Sequence, residues 1–204
     1  MRGRLITIEG LDGAGKTTLA EGLVAALRSS REVVLLREPG GVELSERIRA
    51  LVKDPSLHVD PRAEALLYAA ARAQLVAERV SPLLDAGTWV LLDRFVDSSL
   101  AYQGAGRGLG VEAVRALNAF GTGGLVPDRT FLLRADAATR GARQDVRGEA
   151  PDRLEREGGA FFDAIGAAYD ELAAAEPSRF RVLDAGAAPD AVLRAALAAL
   201  ADLG

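Results

Sequence analysis

Gly10-Leu11-Asp12-Gly13-Ala14-Gly15-Lys16-Thr17 is the stretch on which the reading of this chain turns. Its spacing, G-x-x-x-x-G-K-[ST], is that of a loop whose backbone N–H groups surround the oxygens of a di- or triphosphate. The lysine neutralises those oxygens and the hydroxyl reaches a magnesium ion. Such a loop needs a strand before it and a helix after it. Leu5-Ile6-Thr7-Ile8 is a β-branched apolar run, and from Lys16 onward Leu19, Leu23, Ala26 and Leu27 recur at helical spacing. The glycines allow backbone angles and close ligand approach that a Cβ would block, and the first turn of the helix offers unpaired N–H groups to anions. The competing reading is a glycine-rich turn that merely includes a lysine; the flanking strand and helix weigh against it.

With 204 residues, 49% of them apolar, the chain is long enough for one α/β domain with a large core. It contains no cysteine, which removes disulfides, thiolate metal sites and a cysteine nucleophile together. Met1-Arg2-Gly3-Arg4 leads straight into the first strand without an apolar leader, and no apolar run approaches a bilayer span, so a cytoplasmic protein with no membrane partner is expected. A net charge of −4 provides no global field for nucleic acid, so the arginines must act locally.

Further along, Val33-Val34-Leu35-Leu36 reads as a second strand, broken by Arg37-Glu38-Pro39-Gly40-Gly41. A short helix carries Leu44, Ile48, Leu51 and Val52. Pro55 and Pro61 then bracket a polar connection whose His58, with no second histidine or metal-ligand cluster near it, reads as a surface residue. The longest helical pattern runs from Pro61 to Leu84. Within it Tyr68 and Arg72 are four apart and share a face, as a core-edge aromatic beside a solvated arginine or as a ligand-facing pair.

Trp89-Val90-Leu91-Leu92 is a third strand ending at Asp93-Arg94, which places a carboxylate at the edge of the sheet near the loop's magnesium. Phe95 to Tyr102 reads as a helix, followed by a glycine-rich turn from Gly104 to Gly110 in which Arg107 is a possible anion contact. Helical, strand, helical, strand and helical patterns follow around Val114, Thr130 to Leu133, Phe161 to Leu172, Phe180 to Asp184 and Leu193 to Leu200. The charged segment 136–157 holds Arg140, Arg143, Arg147, Arg153 and Arg156, and is either a solvated helix face or a phosphate-covering lid. Five strands alternating with helices predict a parallel sheet covered on both faces, with its site at the strands' carboxyl ends.

Phosphate loops serve kinases, GTPases, ATPases and ligases alike. A guanine-reading N-K-x-D segment is missing from the sequence, and no further coupling domain is visible in it. What recurs is arginine at places that should converge: Arg37, Arg49, Arg72, Arg94 and the charged segment. Planar bidentate donors suit a second phosphorylated ligand facing the first. A phosphate monoester has its second pKa near about 6, so its attacking oxygen is already ionised and needs no histidine or cysteine base.

In family order and with matching spacing, the chain resembles the bacterial thymidylate kinases. The carrying residues are Ile8 through Thr17; Arg37-Glu38-Pro39-Gly40-Gly41; Tyr68-Ala69-Ala70-Ala71-Arg72-Ala73-Gln74; Asp93-Arg94-Phe95; Ser98 through Gly104; and Asp152-Arg153-Leu154-Glu155. The resemblance implies a single phosphate-loop (P-loop NTPase) domain over 1–204, of α/β class with a five-stranded parallel sheet, and a small lid at about 136–157. It implies transfer of the ATP γ-phosphoryl group to dTMP, with Mg2+ bound beside ATP, by a homodimer. The loop from Gly10 through Thr18 would bind ATP, with Leu11, Gly13, Ala14 and Gly15 contributing backbone and Lys16 and Thr17 side chains. Thr17, Asp93, Asp12 and Glu155 would lie around the metal. Asp12 would also face the acceptor, whose phosphate Glu38, Arg49 and Arg94 position. Arg72 would bond a thymine carbonyl, Tyr68 would stack on the ring, Ser99 and Gln103 would meet its polar edge, and Tyr102 would crowd the 2′ position. Because Gly13 stands where some relatives carry a catalytic arginine, the lid would supply that cation from Arg143 or Arg147. Lys16 is expected beside solvent and phosphate. A kinase for another nucleoside monophosphate or a deoxynucleoside, and a nucleotide-dependent binding switch, remain as alternatives.

Overall fold

The computed structural model describes the backbone of residues 2–147 and 152–203 and the side chains of 2–143 and 152–203. Five parallel strands, β1 (Leu5–Glu9), β2 (Val33–Arg37), β3 (Trp89–Asp93), β4 (Arg129–Arg134) and β5 (Phe180–Asp184), form one sheet in the order β2-β3-β1-β4-β5. All five expected strands are present, four of them one or two residues longer than their apolar runs, because the flanking polar residues still pair.

Alternation along the central strands sends side chains to opposite faces. Ile6, Ile8, Leu91, Phe131 and Leu133 pack against α1 (Lys16–Leu27) and α9 (Pro189–Ala198). On the other face Leu5, Val90 and Leu92 meet Leu75, Val76, Val80 and Leu84, while Leu132 and Phe180 meet Leu100 and α8 (Gly159–Ala175). From β1 the chain crosses to the β2–β3 side of the sheet, and from β3 it crosses to the β4–β5 side. The carboxyl ends of β1 and β3 therefore mark the point where the direction of winding reverses and a crevice opens.

Two helical readings are corrected. The run from Pro61 comprises α3 (Pro61–Leu75), a wider π-helical turn over Val76–Val80 and α4 (Ser81–Asp85). The turn expected from Gly104 begins later. After α5 (Val96–Ser99), wide π-helical winding continues over Leu100–Gly106 before the chain turns into α6 (Val111–Thr122). Gly104 and Gly106 are tolerated there because Val111 and Phe161 lie so close that a Cβ would collide with them, at 3.0 and 2.7 Å. The segment 136–157 opens with α7 (Ala137–Arg147), its N-terminus satisfied by Asp136, whose carboxylate accepts from the Thr139 N–H at 2.7 Å.

Candidate active site

β1 runs into the loop at Gly10, where φ is +136° and a Cβ would lie 2.6 Å from the Leu133 carbonyl oxygen; only glycine fits. α1 begins at Lys16 with no side-chain cap, so its first N–H groups stay available to an anion. Gly10 and Leu11 do not face the cleft: their carbonyls both accept from Lys16 Nζ at 3.1 Å. This corrects the expected placement of Lys16, which is buried and whose ammonium group stands 3.7 Å from Asp12. Burial, followed by the nearby Arg94, makes that ammonium group easier to deprotonate than an ordinary lysine.

The loop opens on a cleft of about 890 Å³ at the carboxyl edge of the sheet. Asp12 to Thr18, Pro189 and Leu193 line one end; Arg49, Tyr68, Arg72, Ser99 and Gln103 line the other. Asp93, Arg94, Tyr102 and Glu155 also line it. Except for Gly10, Leu11 and Arg147, every site residue that the resemblance implies lines this one space. Arg147 ends α7, and its side chain lies outside the described residues.

Arg94 occupies the turn after β3 with φ +69°, a left-handed conformation rare for a residue with a Cβ. The turn is fixed on both sides: the Arg94 N–H donates to the Ile8 carbonyl at 3.0 Å, and the Phe95 N–H donates to Glu9 at 2.8 Å. Glu9 belongs to the stretch that carries the resemblance, but sequence reasoning assigns it no role of its own. It is fully buried at the end of β1 and also accepts from the Ser98 hydroxyl at 2.5 Å and the Tyr169 hydroxyl at 3.0 Å. Burial, then the charge of Asp97, lifts its carboxyl to about 7.

So held, Arg94 donates to Asp12 at 2.7 Å, to the Ser98 hydroxyl at 3.2 Å and to the Tyr102 hydroxyl at 3.3 Å, with its guanidinium over the Tyr102 ring. Burial alone would raise the Asp12 carboxyl; Arg94 and then Lys16 outweigh it and hold the group below the ordinary carboxylate range.

Arg72 is 2% exposed, which excludes the solvated-arginine reading. Its Nε donates to Glu38 at 2.6 Å, Nη1 to the Ser99 hydroxyl at 2.9 Å and to Asn118, and Nη2 to the Phe95 carbonyl at 2.9 Å. A guanidinium tied at every nitrogen cannot swing, so it meets the cleft in one orientation. Burial raises Glu38 to about 7 against the pull of Arg72. Glu38 thus lines the cleft and also holds Arg72, while the Arg49 guanidinium is anchored on the Pro39 carbonyl at 2.9 Å.

Three arginines are committed elsewhere. Arg37 lines the cleft but pairs with Glu46, Arg107 pairs with Glu64 and Glu157, and Arg153 is bound to Glu64 and to the Val52 carbonyl. The 152–157 stretch is therefore fastened to α2 (Glu43–Lys53) and α3, reinforced by Lys53–Asp152 at 3.0 Å. From α7, by contrast, Arg143 crosses the phosphate loop, donating to the Ala185 carbonyl at 2.8 Å and the Gly13 carbonyl at 3.4 Å. Gly13 has no room for a side chain, since a Cβ would lie 2.7 Å from the Arg140 carbonyl oxygen.

One orphan atom bears on the expected metal. Asp93 Oδ1 is buried without a hydrogen-bond partner, at the end of β3 beside the loop. Among the described residues no cluster of three metal-ligating side chains exists. One or two protein oxygens completed by phosphates and water is how magnesium is ordinarily held, so Asp93 and the Thr17 hydroxyl fit that ion.

A model of the thymidylate kinase family matches residues 8–196. A thymidylate kinase of Rhizorhabdus wittichii is 47% identical over 208 aligned residues, covering 100% of this chain and 99% of that protein. One from Deinococcus radiodurans is 49% identical over 185 residues, covering 90% and 89%. The crystal structure of thymidylate kinase from Ehrlichia chaffeensis superposes with a TM-score of 0.79 at 28% identity, covering 98% of this chain and 99% of that one. The chain belongs to the thymidylate kinase family.

Proposed function

We propose that this chain transfers the γ-phosphoryl group of ATP to dTMP, giving dTDP and ADP. A dTMP phosphate oxygen forms the new bond to the γ-phosphorus as the bond to the β–γ bridging oxygen breaks, and the electron pair leaves with ADP. The observation that carries the reading is Arg94: a half-buried cation on a strained turn, bound to Asp12 of the loop and facing the same cleft as Arg72 and Gln103.

In this reading the uncapped start of α1 and Lys16 receive the ATP phosphates, Lys16 exchanging its loop carbonyl partners for phosphate oxygens. Arg94 and Arg49 hold the dTMP phosphate, Arg72 and Gln103 the base edge, Tyr68 the ring face and Tyr102 the sugar. Asp93 and Thr17 would hold Mg2+, which supplies charge neutralisation to the phosphates. Of the α7 arginines whose side chains are described, Arg143 lines the cleft and its guanidinium reaches the loop at Gly13, and it is the cation assigned to the transferred group. Alignment and charge complementarity then supply the catalysis.

A homodimer accompanies this reading, supported by the apolar side chains that α2, α3 and α6 leave exposed: Leu44, Leu51, Leu66 and Phe120, the last 92% accessible. The net charge of −4 supports nucleotides over nucleic acid as partners. No helix among the described residues is long and apolar enough to cross a membrane; a cytoplasmic setting is proposed from the two soluble substrates.

A coupled ADP-release assay over dTMP, dUMP, dCMP, AMP and thymidine tests the function. The greatest kcat/KM should belong to dTMP. Preference for another acceptor would assign a different kinase, and hydrolysis of ATP unaffected by any acceptor would point to the binding switch.

A further inference from the structure

Glu64 lies on α3 with no exposed surface and does not line the cleft, yet four donors converge on its carboxylate. Gln103 Nε2 reaches it at 2.9 Å, Arg107 Nε and Nη2 at 3.3 and 3.1 Å, and Arg153 Nη2 at 2.7 Å. A carboxylate paired with two guanidinium groups is an acceptor only, so the Gln103 amide must turn Nε2 toward it and Oε1 away. Among the described residues no protein donor meets that Oε1, and Gln103 is a wall of the cleft.

We propose that Glu64 is a positioning residue that sets the polarity of the Gln103 amide, so that the cleft presents a fixed carbonyl oxygen to the base edge and selects pyrimidines with an imide N–H. This rests on the dTMP reading above. Beside the Arg72 guanidinium, a donor, the Gln103 oxygen completes a donor–acceptor pair. Thymine and uracil answer it with a carbonyl and an N3–H. Cytosine presents an amino group and an N3 lone pair, which is the reverse pattern. A buried polar group facing the wrong partner is left unpaired, which is how a hydrogen-bonding site rejects a near-isostere.

The test compares kcat/KM for dTMP and dCMP in wild type, E64Q and R153A, each first checked for folding by circular dichroism and melting. The amide that E64Q introduces can either donate or accept, so the Gln103 amide loses its fixed sense; the dTMP:dCMP ratio should fall about tenfold or more. R153A removes a lid-side partner of Glu64 and leaves Gln103 bonded, so both substrates should suffer alike and the ratio should stay within about twofold. An unchanged ratio in E64Q, or an equal fall in R153A, overturns the proposal.

Should E64Q fail to fold, exchange of the Gln103 side-chain amide protons in the wild-type–dTMP complex decides. Slow exchange of the proton facing Glu64 supports the proposal, and rapid exchange of both overturns it. Wild-type preference for an acceptor other than a thymine or uracil nucleotide would overturn the dTMP reading along with it, whereas an active dTMP kinase with an indifferent E64Q sinks this inference alone.

Discussion

Arg94 and Asp12 are joined across the cleft, with Arg94 Nη2 donating to Asp12 Oδ1 at 2.7 Å. The residue that follows β3 and a carboxylate inside the phosphate loop thus hold each other. Neither is free to relax toward solvent, and the guanidinium is oriented before any substrate arrives.

Replacing Arg94 by alanine should lower kcat/KM for dTMP by about 10² to 10³ while leaving the KM for ATP within about twofold. R94K keeps the charge and loses the planar fork, so it should recover only part of the loss. Steady-state kinetics with each substrate varied in turn will show the split, and equal damage to both KM values would contradict it.

K16A should reduce turnover by about 10³ or more, the scale of removing a main charge-stabilising group. Lys16 is buried on the loop's own carbonyls, so its removal should also change the loop itself. A lower melting temperature accompanied by an unaltered far-ultraviolet spectrum is the expected result. Unchanged turnover would deny its role at the phosphates.

Glu9 provides a stability test with a definite sign. Its carboxyl is lifted in the folded chain from 4.5 to about 7. The stability it supplies is therefore full below pH 4.5 and is lost as pH climbs through about 7, by about 3 kcal/mol at most. E9Q does not titrate there. In urea denaturation at pH 5 and pH 8, wild type should lose about 2–3 kcal/mol relative to E9Q across the interval, and parallel curves would contradict the shift.

Arg143 approaches the phosphate loop from α7 without being bound by any carboxylate named above. R143A should lower kcat by about tenfold to a hundredfold with the KM for dTMP nearly unchanged, because it acts on the transferred group and not on acceptor binding. A rise in that KM at constant kcat would move Arg143 to the acceptor side.

Local signals made the frame readable: glycines at the Gly10 turn, β-branched runs in the strands, and Asp93-Arg94 closing an apolar run at the sheet's edge. Buried polar joints were not readable in the same way. Glu9, Glu64 and Asn118 look like ordinary helix or strand residues until the fold brings Phe95, Gln103 and Arg72 to them. The same juxtaposition removes Arg107 and Arg153 from the supply of phosphate-binding cations, a fact that their positions in a glycine-rich turn and in a charged stretch did not disclose. The wide turn at Val76–Val80 lacks a local signature because the helical spacing continues through it, while at Leu100–Gly106 the glycines read as a turn where the winding in fact goes on.

The central claim is that donor and acceptor occupy one continuous cleft and meet at their phosphates over the Lys16 loop and Arg94. An adenosine and a thymidine joined through five phosphates measures this directly. It should bind one molecule per chain by calorimetry and compete with both ATP and dTMP. Competition with only one of the two, or binding of ATP and dTMP undisturbed by it, would contradict the claim.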